Sequence, residues 1–377
     1  MRKELSEAAN QLNNGSVQAW KAAGKKVVGY SCTYVPSEII GAAGLLPYRL
    51  RGIEAATTDI GDSYYGPVVC SYPKCLLQLA GEGTYRFLDG AIITNGCDTM
   101  RRLEECWRKA NEDIPGILPA YYHYYGTPHK VEPYSLKWFE EENRLLIESL
   151  ENHFGVKITD ERLREQIELY NTGRRLLQRL EKLRMRDEIV ISGTDATTII
   201  LASTALPWSE YVPLLEETLG ELEQAKPNGM KGKRVLLGGS VTDDTDLVRV
   251  IEEAGAVVVA DTLCFGSKLF DDLVSTEGDP VKALSERYLN RSFCPRMFAY
   301  YQPRYQSLKE KALKAKVDGV ILQNVRFCDM HGSENGLFER DLEAMGIPCI
   351  RIEREYGPLV EDGRVRMRVD AFLERIQ

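Results

Sequence analysis

The sequence lacks the features that mark membrane and nucleic-acid-binding proteins. No stretch approaches the roughly 18 consecutive apolar residues of a membrane span, and the first 25 residues contain no signal-peptide-like apolar run. Positive charge is not in excess, because 48 Lys and Arg against 56 Asp and Glu give a net charge of −8. We therefore expect a cytoplasmic protein whose partners include neither a membrane nor a nucleic acid.

Nucleotide-binding motifs are missing as well. Gly-x-Gly-x-x-Gly does not follow the first strand of either predicted domain, and the Walker sequence Gly-x-x-x-x-Gly-Lys does not occur. We expect that this chain itself binds neither NAD nor ATP. What is present, 44% apolar and 28% charged residues over 377 positions, is typical of a globular protein with two or three domains.

Short β-branched runs alternate with helical patterns in two parts of the chain. KKVVGYSC, PSEIIGAAGLL and PYRL form one βαβ pattern, and GKRVLLGGS, DLVRVIEEAGA and VVVAD form another. The predicted fold is α/β, with two Rossmann-like parallel-sheet domains joined by charged helices. The predicted divisions are an N-terminal amphipathic helix, a first α/β domain, a helical connecting region and a second α/β domain, at 1–25, 26–134, 135–229 and 230–377.

Two strand-like stretches resemble each other closely. Residues 89–95 read DGAIITN, residues 318–324 read DGVILQN, and a Cys-Asp pair follows each one shortly afterwards. In open parallel sheets the ligand site lies beyond the carboxyl ends of the strands. Because Cys32, Cys97 and Cys328 each follow such an end, we expect three thiols to meet in a cleft between two domains.

Nine cysteines in a reducing compartment indicate metal or redox chemistry rather than disulfides. Four lie within 37 residues, at Cys70, Cys75, Cys97 and Cys106, and their spacing is not the Cys-x-x-Cys of a zinc site. Thiolates on irregular spacings suit an iron–sulfur cluster better. Cys294 is a further loop candidate, whereas the last two cysteines are expected to be structural, at Cys264 and Cys349.

Several motifs together resemble the 2-hydroxyacyl-CoA dehydratase and benzoyl-CoA reductase superfamily. They span nearly the whole chain and read CTYVPSEIIGAAGLLP from Cys32, CS at Cys70, NGCDTMRRL around Cys97, DTLCFGS around Cys264, CP at Cys294 and FCD around Cys328. The resemblance implies two Rossmann-like domains with an iron–sulfur cluster between them. It also implies a separate ATP-hydrolysing activator, an iron–sulfur homodimer that delivers low-potential electrons.

The resemblance further implies that Cys32, Cys97 and Cys328 are the shared cluster ligands. The additional cysteines at Cys75 and Cys106 are similar to those of the double-cubane branch, in which two cubanes joined by a sulfide need six thiolates. The ligand set implied for an [8Fe-9S] cluster is therefore Cys32, Cys70, Cys75, Cys97, Cys106 and Cys328. Cys294 is the substitute for any one of them, and a single [4Fe-4S] cluster is the alternative.

Three functions remain open at this stage. The preferred one is reduction of a small unsaturated substrate by a homodimer, with electrons from the activator. The second is a dehydratase subunit that acts on an acyl-CoA thioester by ketyl radical chemistry, and the third is a non-catalytic electron-storage protein. Candidate catalytic residues are Ser37, Glu38 and Glu54, by position in the motifs, and His331, whose imidazole could deliver a proton near Cys328.

Overall fold

The fold rests on two separate four-stranded parallel sheets. The computed structural model describes residues 1–291, 294–357 and 362–376. The first sheet has the order β2-β1-β3-β4 and the second the order β6-β5-β7-β8, and all pairs are parallel. The strands are β1 Val27–Tyr30, β2 Leu46–Arg49, β3 Gly90–Thr94, β4 Tyr121–Tyr125, β5 Lys233–Gly239, β6 Ala256–Asp261, β7 Gly319–Val325 and β8 Cys349–Arg354. The predicted α/β class with two parallel-sheet domains is confirmed.

Continuous apolar runs form the central strands because helices cover both faces of each sheet. Every residue of the central strands β1 and β3 is buried, and so is every residue of the edge strand β6. Edge strand β4 is less completely buried. The two similar stretches of sequence form β3 and β7, which hold equivalent positions beside the first strand of their sheets. The sequence similarity therefore corresponds to a structural repeat.

The described part of the chain forms fifteen α-helices around the sheets. Those of the first half are α1 Lys3–Asn10, α2 Gly15–Ala22, α3 Ser37–Ala42, α4 Asp59–Tyr64, α5 Ser71–Gly81 and α6 Asp98–Asp113. Between the sheets lie α7 Pro133–Phe154, α8 Asp160–Arg184, α9 Gly193–Ala202 and α10 Trp208–Gln224. The second half contributes α11 Asp246–Glu253, α12 Pro280–Asn290, α13 Tyr301–Lys314, α14 Asp329–Glu343 and α15 Asp362–Arg375, with a 3-10 turn at Ser267–Leu269. No helix in the described ranges is long and apolar enough to cross a bilayer.

The N-terminal segment differs from the single helix predicted for it. It forms α1 and α2, and the chain between them is not helical. The reason is local, since the Asn14 side chain accepts hydrogen bonds from the amides of Ser16 and Val17 and so starts a new helix. Leu5 and Leu12 are fully buried, as the amphipathic pattern predicts.

Helix α8 connects the two halves of the molecule. It starts after Thr159, whose side chain accepts a hydrogen bond from the amide of Arg162. Near its middle Arg174 pairs with Glu38 of α3, with nitrogen and oxygen 2.5 Å apart. Ten residues later Arg184 pairs with Asp261 at the end of β6, at 2.8 Å. One helix thus anchors both sheets through buried ion pairs.

Candidate functional site

Three thiols follow strand ends in the way the sequence predicts. Cys32 comes two residues after β1, and Cys97 and Cys328 each come three residues after β3 and β7. Cys97 and Cys328 are also the residues that precede the first turns of α6 and α14. The structural repeat therefore places one cysteine in the same position of each half, at the start of a helix.

Cys70 and Cys294 join these three residues from other segments. Cys70 precedes the first turn of α5 and is buried. Cys294 lies in the loop before α13, and Arg296 holds this loop against the first half. The Arg296 guanidinium donates to four backbone carbonyl oxygens of the first half, at Asn95, Gly96, Thr127 and Pro128, over 2.7–3.1 Å. Because Asn95 and Gly96 directly precede Cys97, this contact ties the Cys294 loop to the Cys97 loop.

The five thiols influence each other electrostatically. Burial is the main cause that raises the pKa of the Cys97 thiol to about 12; the amide of Met100 opposes this shift, and the neighbouring Cys328, Cys294 and Cys32 contribute to it. Burial also raises the pKa of Cys70 well above its ordinary value, and Cys97, Cys328 and Cys75 act in the same direction. The pKa of Cys294 rises to about 11 through burial, with Cys32 adding to the effect. Neighbouring sulfurs therefore oppose negative charge on Cys70, Cys97 and Cys294.

Cys75 and Cys106 lie further along α5 and α6. Cys75 is fully buried, and burial raises its pKa to about 12, with Asp243 as the strongest charged neighbour. It contributes to the field at Cys70. Cys106 donates to the carbonyl oxygen of Tyr64 at 3.6 Å. Its pKa is raised mainly by burial, and the charges that act on it are those of Arg102 and Glu105.

The donor set fits a cationic metal cluster chemically. Thiols that are buried together resist ionisation unless a cation compensates them, and metal ligation removes their protons. Among the described residues no group of three or more His, Cys, Asp or Glu is arranged to hold one metal ion. An iron–sulfur cluster distributes its ligands over several metal atoms, so its thiolates are not gathered around a single ion.

The backbone around the thiols also suits negative charge. The amides of Met100, Tyr72 and Arg296 each lower the pKa of the neighbouring thiol, at Cys97, Cys70 and Cys294 respectively, although burial outweighs them. Helix N-termini stabilise thiolates through their unpaired amides and the helix dipole. The start of α5 and the start of α6 therefore favour thiolate at Cys70 and Cys97 once burial is compensated.

Ser37 and Glu38 are both buried at the start of α3. The Glu38 carboxylate pairs with Arg174, and the Tyr288 hydroxyl donates to it at 2.7 Å. Burial alone would raise the pKa of Glu38, but Arg174, Arg287 and the Tyr288 hydroxyl outweigh burial and lower it. The geometry describes an ionised anchor between α3 and α8, and a catalytic role for Ser37 or Glu38 stays a prediction.

Glu54 and His331 have different surroundings. Glu54 accepts a hydrogen bond from the amide of Leu12 at 2.8 Å and so ties the N-terminal segment to the first sheet. His331 lies on the first turn of α14, and burial, with Lys268 and Arg304, lowers its pKa to about 3. Its imidazole is therefore neutral at pH 7, which makes it a proton acceptor or a neutral hydrogen-bond partner rather than an imidazolium donor. Its part in catalysis stays a prediction.

The remaining cysteines lie outside this group. Cys349 is buried within β8, as expected for a core residue. Cys264 follows β6, and the Arg49 guanidinium contacts its carbonyl oxygen at 2.6 Å and its sulfur at 3.5 Å. All nine cysteines are free thiols. Sequence reasoning missed Arg296, because its role depends on carbonyl groups that are far away in the chain and carry no sequence signal.

The chain matches the sequence model of the family described as 2-hydroxyglutaryl-CoA dehydratase, D-component, over residues 32–376. This match covers nearly the whole chain. The chain therefore belongs to this family, within the 2-hydroxyacyl-CoA dehydratase and benzoyl-CoA reductase superfamily that its motifs resemble.

Named relatives come from both branches of the superfamily. The chain is 30% identical to one of the subunits of benzoyl-CoA reductase from Thauera aromatica, over 84% of this chain and 83% of the relative. It is 26% identical to the (R)-phenyllactyl-CoA dehydratase beta subunit of Clostridium sporogenes, over 94% and 92%. It is 23% identical to the beta subunit of (R)-2-hydroxyglutaryl-CoA dehydratase of Acidaminococcus fermentans, over 95% and 94%. Each of these relatives belongs to a dehydratase or a reductase.

Proposed function

We propose that this protein is a cytoplasmic iron–sulfur oxidoreductase. It accepts low-potential electrons from a separate ATP-hydrolysing iron–sulfur activator and reduces a small unsaturated substrate at an [8Fe-9S] double-cubane cluster. The observation that carries the proposal is a group of five thiols from both halves of the fold, in which neighbouring sulfurs oppose the ionisation of Cys70, Cys97 and Cys294; the five are Cys32, Cys70, Cys97, Cys294 and Cys328. Membership in a family of dehydratase and reductase subunits supports it.

The number of thiols favours the larger cluster. A single cubane with one open iron uses three protein thiolates, and five thiols already share one region. Cys75 lies close enough to Cys70 to raise its pKa, so that six thiols are available as ligands. The sequence prediction includes Cys106 among the six ligands, with Cys294 as the substitute for any one of them. The electrostatic surroundings of Cys294 include Cys32, and those of Cys106 include Arg102 and Glu105, so we favour Cys294.

The protein's own residues prepare this region for redox chemistry. When bound, the cluster supplies stored low-potential electrons distributed over its irons and sulfides. Cys70, Cys75, Cys97 and Cys106 are buried or largely buried, so the protein keeps water away from the sulfur atoms and lowers the local dielectric constant. The amides at the starts of α5 and α6 favour the thiolate form, and the protons of the thiols leave when metal binds.

A second candidate function is that of a [4Fe-4S] subunit in a 2-hydroxyacyl-CoA dehydratase. The relatives from Clostridium sporogenes and Acidaminococcus fermentans are named as beta subunits of such enzymes, which favours it. In that case Cys32, Cys97 and Cys328 would be the ligands, and the chain would pair with a different subunit. The first candidate instead pairs the chain with a second copy of itself.

The activator is proposed to dock where the thiols approach the surface. Phe327, directly before Cys328, is 44% exposed, and Phe298, four residues after Cys294, is 66% exposed. Large exposed aromatic side chains near a functional site are typical of protein contact surfaces. This supports a docking face beside Cys294 and Cys328.

Iron and sulfide analysis of the anaerobically purified chain tests the cluster. The double-cubane proposal expects about eight irons per chain, and the dehydratase alternative about four. Cys294→Ala should lower the iron content to about half, whereas Cys106→Ala should leave it close to the starting value. Cys349→Ala is the matched control, because Cys349 is a buried thiol of the β8 core. Absence of iron from the original chain would refute the cluster proposal, and unchanged iron in Cys294→Ala would remove Cys294 from the ligand set.

Turnover tests the catalytic part of the proposal. The chain is mixed with activator, ATP and a small unsaturated test substrate, and product is compared with that of activator and ATP alone. Product above this background supports a reductase. Iron without turnover of any reducible substrate would instead favour electron storage.

A further inference from the structure

A small cavity of about 30 Å³ lies between α3, α8 and α12, beside the loop that carries Cys32. Three arginines line it, namely Arg174, Arg287 and Arg291. Ser37 and Thr204 also line it. None of the described residues that line this cavity is acidic.

Among the described residues, the terminal nitrogens of the Arg174 guanidinium are hydrogen-bonded, whereas its Nε atom is not. Its terminal nitrogens contact Glu38 at 2.5 Å and Asn171 at 3.3 Å. Its Nε atom is buried and has no hydrogen-bond partner within the described part of the chain. Arg174 itself is only 2% exposed. A buried donor without an acceptor costs free energy, which an acceptor in the cavity would recover.

The other two arginines interact with backbone rather than with acids. Arg287 donates to the carbonyl oxygens of Asp272, at 3.1 Å, and Leu269, at 2.7 Å. Arg291 donates to the carbonyl oxygen of Lys268 at 3.0 Å, and to the carbonyl oxygen and hydroxyl of Thr33. Carbonyl groups satisfy the donors but do not neutralise the charge.

Positive charge is therefore in excess around the cavity. Among the described residues, three guanidinium groups share one paired carboxylate, that of Glu38. Burial, followed by the charges of Arg174 and Arg291, lowers the pKa of Arg287 to about 9. The nearby carboxylate of Asp271 is occupied by Lys311, at 3.1 Å. An anion in the cavity would relieve a repulsion that the protein leaves uncompensated.

The size and the approach of the cavity limit the ligand. A cavity needs about 10–15 Å³ to hold one water molecule, so this one accepts about two waters or one ligand of three to four heavy atoms. Guanidinium groups only donate hydrogen bonds, so the ligand must accept them. Arg291 also lines an open groove of about 580 Å³ between α8 and α13, so this side chain borders both the small cavity and the groove.

We propose that this cavity binds a small monoanion, of the size of formate or nitrite, next to Cys32. Binding itself is independent of the cluster. The further step, that the anion is the substrate or its anionic group, rests on the proposed reductase function.

Calorimetric titration of the whole purified chain with sodium formate, at an ionic strength held constant with chloride, tests the proposal. The expected result is saturable binding of one formate per chain. Arg287→Gln should weaken binding about tenfold or more, since a charge-assisted contact is lost. Arg287→Lys, which keeps the charge and the fold but not the planar fork, should give an intermediate affinity. Arg175→Gln is the matched control, because Arg175 is exposed on the same helix as Arg174.

Thermal unfolding supplies a second measurement that does not depend on heat of binding. Formate should raise the Tm of the original chain and of Arg175→Gln, and at the same formate concentration it should raise the Tm of Arg287→Gln by a smaller amount. Benzoate, which is too large for the cavity, should not compete with formate. Absence of saturable formate binding, or equal affinity in Arg287→Gln and the original chain, would overturn the proposal. Iron content is measured separately. A chain that binds formate but contains no iron would therefore refute the proposed function and leave the anion-binding proposal intact.

Discussion

The two sheets have the same strand order, yet the ends of their first strands carry opposite chemistry. In the first half, β1 leads into Cys32 and a cavity rich in arginine. In the second half, β5 leads into the adjacent acids Asp243 and Asp244. The third strands in chain order, β3 and β7, retain the same Cys-Asp sequence after the same spacing. The two halves therefore keep functional residues at the same strand ends, but the chemical groups at the ends of their first strands differ.

The two halves are also alike in how they are attached to helix α8. Arg174 and Arg184, both on α8, each form a buried ion pair with one half, with Glu38 and with Asp261. These ion pairs add to a hydrophobic core that already contains residues of both sheets, such as Ile93 of β3 and Val325 of β7. Removing one partner of a buried pair leaves an uncompensated charge behind. The three predictions that follow test how far the two halves are equivalent.

The largest effect is expected from the buried ion pairs. Glu38→Ala and Asp261→Ala should each lower the free energy of unfolding by about 3–5 kcal/mol. Denaturant unfolding of the metal-free chain measures this. Asp187→Ala, which breaks the exposed Asp187–Lys316 pair, is the control and should leave the unfolding midpoint unchanged. A large loss for one acid and none for the other would show that α8 anchors only one half.

An effect of opposite sign is expected at Asp243. Burial, and then the charge of Asp244, raises the pKa of Asp243 to about 6. Its Oδ1 atom is buried and has no partner in the described chain, while Oδ2 accepts from the Tyr356 hydroxyl at 2.7 Å. A carboxyl whose pKa is raised by folding stabilises the folded state while it is protonated. That stability is present below the unfolded pKa of about 3.9 and is lost as the pH rises through about 6.

Asp243→Asn should therefore raise the free energy of unfolding at pH 8 by up to about 3 kcal/mol and have little effect near pH 4. Unfolding measured between pH 4 and pH 8 gives the difference. Cys32→Ser is the control at the equivalent strand end of the first half. The loop after β1 contains no carboxylate, so the stability difference between this variant and the original chain should not depend on pH in the same way. A variant that is equally stable relative to the original chain at both pH values would contradict this account of Asp243.

The smallest effect concerns the residues directly before the repeated cysteines. Phe327 has a φ of 62°, in the left-handed region, whereas Gly96 is not among the glycines of positive φ. A side chain in that region costs about 1–2 kcal/mol. Phe327→Gly should therefore be more stable than Phe327→Ala by about 1 kcal/mol. Gly96→Ala should be tolerated, since its new Cβ would lie 3.4 Å from the Met100 side chain.

Thermal unfolding of the four proteins, including the original chain, measures these differences. Equal stability of the glycine and alanine variants at position 327 would mean that the loop relaxes freely. In that case the two loops before Cys97 and Cys328 would be more alike than their backbone angles indicate.

Local patterns in the sequence were sufficient to predict the α/β class, the two parallel sheets and the placing of Cys32, Cys97 and Cys328 at strand ends. They succeeded because apolar runs, caps and strand-end positions depend on neighbours within a few residues. Asn14 shows the limit of this reasoning, since one side chain interrupts a pattern that is otherwise continuous.

Local patterns and motifs thus specify most of the elements, the places of the thiols along them and the family of the chain. Only the packing of the two halves reveals that Arg296 joins two loops, that Cys294 lies with Cys32 and Cys97, and that three arginines line one small cavity. The physical reason is that hydrogen bonds, repulsion between thiols and the cost of buried charge depend on distances between residues separated by more than a hundred positions. Such distances exist only after the two halves have packed together.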